Sequence, residues 1–249
     1  MFAREVRILF RKEWRQLLRS KGALLSALLL PALMIVAIPV LLTLTTGMAK
    51  ELPNLPKGAS LPPALAEAAK DPMAVVRMML PLFVGLGGLV APMVAASYTL
   101  ITEREQRTLE LLVALPVRIE QVLVAKLLAL VVLTGAVSLV LFSGTAVFLL
   151  SFRVTSVGGV LGLAFELVAA LSCSTGIALL ASLLAKDFRT ANNLSGIVVL
   201  PAMLLTMGVM MFVPDVGLGA FLLGATYLAA TGLALYVSLK VITVERLLR

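Results

Sequence analysis

The stretch VGGVLGLAFELVAALSCSTGIALLASLLA, residues 157–185, decides the architecture. Its 29 positions carry a single charged side chain, Glu166. At about 1.5 Å of rise per residue, such a run exceeds a hydrocarbon layer of roughly 30 Å, so it reads as a membrane-crossing helix. A transmembrane strand would instead alternate apolar and polar residues over about ten positions, and nothing here alternates. Five further runs have the same character: 22–44, 78–101, 127–150, 194–213 and 216–239. Only Pro214 and Asp215 separate the last two, so a tight hairpin and one long broken or re-entrant segment both stay open there.

Composition agrees with the spans. Of 249 residues, 61% are apolar and 14% charged, against roughly 45–50% and 25% in a soluble domain. The mean hydropathy is +1.08. A soluble globule is thereby excluded. The net charge of +8 would suggest a polyanion partner in a soluble protein; here it must first be read as topology. With the N-terminus inside, sixteen of the 21 Lys and Arg residues fall on the cytoplasmic side. Lys50, Lys57, Lys70, Arg77 and Arg153 remain outside. The expectation is an even number of spans with both termini in the cytoplasm of a plasma (inner) membrane, and no nucleic-acid partner. A basic leader of about 21 residues before an apolar stretch of about 23 is too long for a cleavable signal peptide.

Residues 1–21 place Phe2, Val6, Leu9, Phe10, Trp14, Leu17 and Leu18 at helical steps, with Arg4, Arg11, Arg15 and Arg19 on another side. This predicts an amphipathic helix in the cytoplasmic interface, with Arg11, Trp14 and Arg15 as its anchors to membrane lipid. An external loop at 48–77 holds five prolines and is too short for a core of its own. Asp71-Pro72 fits an N-cap and first-turn pair for the second span, which Pro81 and Pro92 should then kink or break.

The cytoplasmic connection 102–116 reads Thr-Glu-Arg-Glu-Gln-Arg-Thr-Leu-Glu-Leu-Leu-Val-Ala-Leu-Pro. Thr102 with Glu105 matches a capping box, and Pro116 stops the helix. Its leading part is ionic and its trailing part apolar, so one part can lie on the membrane domain while the other meets a cytoplasmic partner. A simple interfacial helix is the competing reading.

At this stretch the chain resembles the permease subunits of type-2 ATP-binding-cassette (ABC) transporters. The resemblance rests on Glu103-Arg104-Glu105, Arg107-Thr108-Leu109-Glu110, Leu111-Leu112, Pro116 and Ala125-Lys126. Arg107 and Ala125 stand where glycine is usual in that pattern. The likeness covers the whole chain, including the tail Val244-Glu245-Arg246-Leu247-Leu248, and in detail is nearest the sodium-export and copper-enzyme-maturation branch. It implies an all-α, polytopic, six-helix transmembrane bundle at 22–249. It implies an N-terminal amphipathic helix that braces a cytoplasmic coupling helix, and coupling to an ATPase through Glu103, Arg104, Glu105, Arg107, Thr108 and Glu110. The implied partners are ABC ATPase subunits and a second copy or similar permease. The family's external structure between the fifth and sixth spans has almost no counterpart here.

No Gly-x4-Gly-Lys-Ser/Thr segment occurs, so ATP and magnesium are expected on a separate ATPase chain, with no cofactor or metal in this one. Without histidine, a Ser/His dyad cannot form, and no catalytic constellation is expected. Cys173, the one cysteine, reads as an inert buried thiol.

Inside the spans the candidate pathway residues are Glu166, Ser172, Ser174 and Thr175. Glu166 lies roughly 12 Å along its helix from Gly158. An intramembrane carboxylate is costly and so a functional hypothesis; an anchor paired with Arg153 at the outer interface is the open alternative. Gly158 and Gly162 suggest a close helix contact. Asn192 and Asn193 suggest a cap, and Met203, Met207, Met210 and Met211 a packing stripe. The leading expectation is the permease of an ATP-driven exporter. The rivals are an ion-coupled secondary transporter and a non-transporting membrane relay to an external partner.

Overall fold

The computed structural model describes residues 2–19, 21–48, 71–105, 119–184 and 188–241. Among these, regular structure is entirely helical. Helix α1 (Phe2–Arg19) precedes a composite span made of α2 (Lys21–Pro31), a π-helical segment (Ala32–Ala37) and α3 (Ile38–Met48). Then follow α4 (Pro72–Glu105), α5 (Ile119–Ser151), α6 (Val157–Leu184), α7 (Phe188–Phe212) and α8 (Val216–Val241). Five stretches are long and apolar enough to cross a membrane: Ala27–Thr46, Met73–Val94, Leu128–Ser151, Val157–Ala178 and Val216–Val237. The expected span at 194–213 corresponds to a shorter apolar segment, Gly196–Phe212, within α7.

Proline chemistry shapes the first two spans. Pro39 has no N–H to offer the Ile35 carbonyl one turn back. That carbonyl instead accepts a hydrogen bond from Thr145 Oγ1 on α5 at 3.0 Å, while the Ile38 N–H reaches back to Leu33 O in the wider π pattern. The start of α4 follows the sequence expectation: Asp71 Oδ1 accepts from the Met73 N–H at 2.9 Å, with Pro72 in the first turn. Pro81 and Pro92, expected to kink or break the span, both lie inside the one continuous helix 72–105. That helix also runs through Thr102, which is therefore interior rather than the capping residue of a new helix. Residues 106–118, with most of the expected coupling helix, lie outside the described residues, as does most of the 48–77 loop.

Helix α6 sits between α8, its most extensive partner, and α4, which packs in turn on α2, α3 and α7. Glycines set these approaches. A Cβ on Gly88 would stand 2.9 Å from Ala170 Cβ, and one on Gly87 2.6 Å from Ile35 Cγ1. The Gly217 backbone of α8 lies directly against Gly158 and Gly162 of α6, the close contact that glycine spacing suggested. Ile35, Leu80, Val84, Phe142, Leu163 and Leu167 form the main apolar core around them.

At one end of the bundle, a cleft of about 570 Å³ lies between the start of α4, the α5–α6 joint and the α7–α8 hairpin. Arg77 Nε donates to Val154 O there at 2.7 Å and Nη1 pairs with Asp71 at 3.2 Å. Asp215 caps α8 by accepting from the Leu218 N–H at 2.7 Å. The α1 helix packs at the opposite end, on α5 and α2.

Candidate functional site

Glu166 is the polar centre of the bundle. Its side chain is 0% exposed, and neither carboxyl oxygen has a hydrogen-bond partner among the described residues. It projects from mid-α6 toward α4, where glycine alone leaves room: a Cβ on Gly85 would stand 2.8 Å from Glu166 Oε1 and 3.5 Å from Tyr227 Oη. From α8, Gly224 admits the α6 backbone, its absent Cβ lying 3.3 Å from Glu166 Cα. Tyr227 Oη and Thr206 Oγ1 share a hydrogen bond at 3.2 Å, which ties α8 to α7 beside the carboxyl. Four helices thus meet at one acidic group. The anchor alternative, Glu166 at an interface paired with Arg153, does not form: Glu166 is enclosed, and Arg153 lines the terminal cleft with φ 52°.

The other three candidate pathway residues do not gather around Glu166. Each hydroxyl bonds back to its own helix, Ser172 to Val168 O, Ser174 to Leu171 O, and Thr175 to Leu171 O and Ser172 O. Ser174 is buried, whereas Ser172 and Thr175, one turn apart, are half-buried on another side of α6. Glu103, Arg104 and Glu105 lie in the last turn of α4, whereas Arg107, Thr108 and Glu110 lie outside the described residues.

On α1, Arg11 and Arg15 are exposed, together with Lys12 and Ile8. Trp14 packs inward on the bundle. It is half-buried, stacks on Phe10 at 6.0 Å between ring centroids, and packs toward Leu17, Ala129, Leu130 and Leu133. Glu13 is buried on the same inward side.

Glu166 is recognisable from its depth in an apolar run, and Gly85 stands out with Gly87 and Gly88 only as a point of bending near Pro81 and Pro92; Gly224, Tyr227 and Thr206 do not stand out. Their only sequence signal is a small or hydroxylated residue inside a span, which many positions share.

The family described as ABC-2 type transporter matches residues 4–228, from the first turns of α1 to the tyrosine region of α8. The chain belongs to the ABC-2 type transporter family. It is therefore the permease component of an ABC transporter and a multi-pass membrane protein. Permeases of this family generally work with an ABC ATPase partner and often as dimers. No curated protein matches the chain. In this permease the matched region includes Glu166, its glycine contacts and the C-terminal end of α4.

Proposed function

We propose that this chain is the permease half of an ATP-driven exporter, powered by a separate ABC ATPase that docks on the segment beginning at Glu103. The observation that carries this reading is the family match over 4–228 together with the continuity of α4. One unbroken helix joins Glu103, Arg104 and Glu105 to Gly85, which packs over Glu166. From Gly85 to Glu103 is roughly 27 Å of helix, a rigid connection through which a push at the cytoplasmic end reaches the bundle centre. Arg107, Thr108 and Glu110 extend the docking surface, by resemblance to the family. ATP and magnesium belong to the partner, and the chain itself has no catalytic role.

On this reading α7 serves as the sixth span, both termini face the cytoplasm of the plasma (inner) membrane, and the Arg77 and Arg153 cleft opens outside. The distribution of Lys and Arg supports that orientation. Helix α1 lies in the cytoplasmic interface, where Arg11 and Arg15 face lipid phosphates while Trp14 holds the helix to α5. A second copy or a similar permease completes the pathway, and the motif details favour the sodium-export and copper-maturation branch. Affinity purification from native membranes is the test. An ATPase subunit that cross-links to residues 103–110 is expected; a chain recovered repeatedly without any ATPase overturns the proposal.

A further inference from the structure

Glu166 raises a question that the permease reading does not answer: what compensates its carboxyl. A buried polar group without a partner costs about 1–3 kcal/mol, more when charged, and an apolar side chain of the same shape would avoid that cost. No side chain among the described residues supplies a donor to either oxygen. Leu163 and Leu167 flank it along α6 in the apolar core, and the Tyr227 side chain of α8 stands beside it with its hydroxyl tied to Thr206. An acidic group, an aromatic ring and aliphatic walls are together the recognition chemistry of a positive charge carried on an apolar body.

We propose that Glu166 is the charge-recognition point of a site for an organic cation, opened when α4 withdraws its Gly85 face from α6 and α8. The inference rests on the permease reading, which supplies the movement of α4. In the present conformation Gly85 closes the site, because only a residue without a side chain lets α4 lie against Oε1. At Gly85 itself no α4 side chain stands over the carboxyl, so separation there uncovers Oε1 directly. The Tyr227 hydroxyl remains tied to Thr206, which keeps the ring edge fixed while α4 moves. The cargo class that follows is a hydrophobic monovalent cation rather than an anion or a hydrated divalent metal ion, since Glu166 brings one carboxylate and no group of three or more His, Cys, Asp or Glu side chains that could hold a metal lies among the described residues.

The test uses two ions of the same shape and opposite charge, tetraphenylphosphonium and tetraphenylborate, and the apolar carboxyl reagent dicyclohexylcarbodiimide. Purified chain and the complex recovered from native membranes are both placed in lipid nanodiscs, and modification of Glu166 is followed by peptide mass. Glu166→Gln supplies the zero, and Glu166→Asp a second carboxyl in case the glutamine variant does not fold. Labelling is expected in the chain alone and faster in the complex turning over ATP. Tetraphenylphosphonium at about ten times its dissociation constant should slow labelling about tenfold by occupancy, while tetraphenylborate should leave it unchanged. Equal protection by both ions, protection by neither, or no labelling in any state overturns the site. If ATP is hydrolysed by the complex and one of those results appears, the cation site fails and the permease reading stands. If no ATPase is recovered but the purified chain shows charge-selective protection, the site stands and its coupling to ATP fails.

Discussion

Replacing Glu166 with methionine should make the isolated permease more stable. Methionine is unbranched and adaptable, with one heavy atom fewer in its side chain than glutamate, so it can occupy the same volume beside Gly85. The exchange removes a carboxyl whose oxygens have no hydrogen-bond partner and adds apolar contact with Leu163 and Leu167. Relief of one unsatisfied buried polar group is worth about 1–3 kcal/mol. For a chain of this length, where 1 kcal/mol corresponds to about 2–4 °C, the melting temperature should rise by roughly 2–12 °C. The protein carries its own reporter: Cys173 is the single cysteine and is buried, so a fluorogenic maleimide reacts only as the bundle opens. Melting curves in detergent for wild type, Glu166→Met and Glu166→Ala give the answer. Alanine should lower the midpoint by leaving a void. A midpoint several degrees lower in Glu166→Met would refute the reasoning, because it would mean that the carboxyl is held by a stabilising partner.

The same thiol assay checks four local expectations. Gly88→Val should cost about 1–3 kcal/mol by forcing a side chain into Ala170 and the Leu167 carbonyl, whereas Gly144→Ala, with nothing within 4 Å of the new methyl, should gain up to about 1 kcal/mol of helix propensity. Thr145→Val should cost about 0.5–1.5 kcal/mol by stranding the Ile35 carbonyl that Pro39 leaves unbonded. Asp215→Ala should cost about 0.5–2 kcal/mol through loss of the α8 cap, and Asp215→Asn should retain most of it.

Five of the six expected spans were legible because hydrocarbon length and hydropathy are properties of contiguous sequence. Asp71-Pro72 was legible for a similar reason, since a cap and its first turn are neighbours in the chain. What was not legible depends on other helices. Thr102 and Glu105 satisfy a capping pattern, yet the helix from Pro72 continues through them, because its own backbone bonds extend without needing a new start. Pro81 and Pro92 each remove one backbone bond but leave α4 continuous, supported by packing on α2, α6 and α7. Periodicity put Leu18 on the apolar side of α1, whereas the packed face holds Phe10, Glu13, Trp14 and Leu17 and leaves Ile8 and Leu18 exposed. At the site, depth alone singled out Glu166. That Gly85 covers it and Tyr227 stands beside it is a matter of tertiary register, to which a single sequence gives no access.

On the proposed reading, ATP hydrolysed by a partner is coupled through the C-terminal end of α4. The direct measurement is the ATP hydrolysis rate of the complex recovered from native membranes, with the wild-type chain and with Glu103→Lys, Arg104→Glu and Glu105→Lys combined. The coupling reading predicts recovery of an ATPase with wild type, and loss of both association and stimulated hydrolysis in the reversed variant at an unchanged melting temperature. An equal hydrolysis rate with the reversed variant, or solute movement by the chain alone on an ion gradient without ATP, would contradict it.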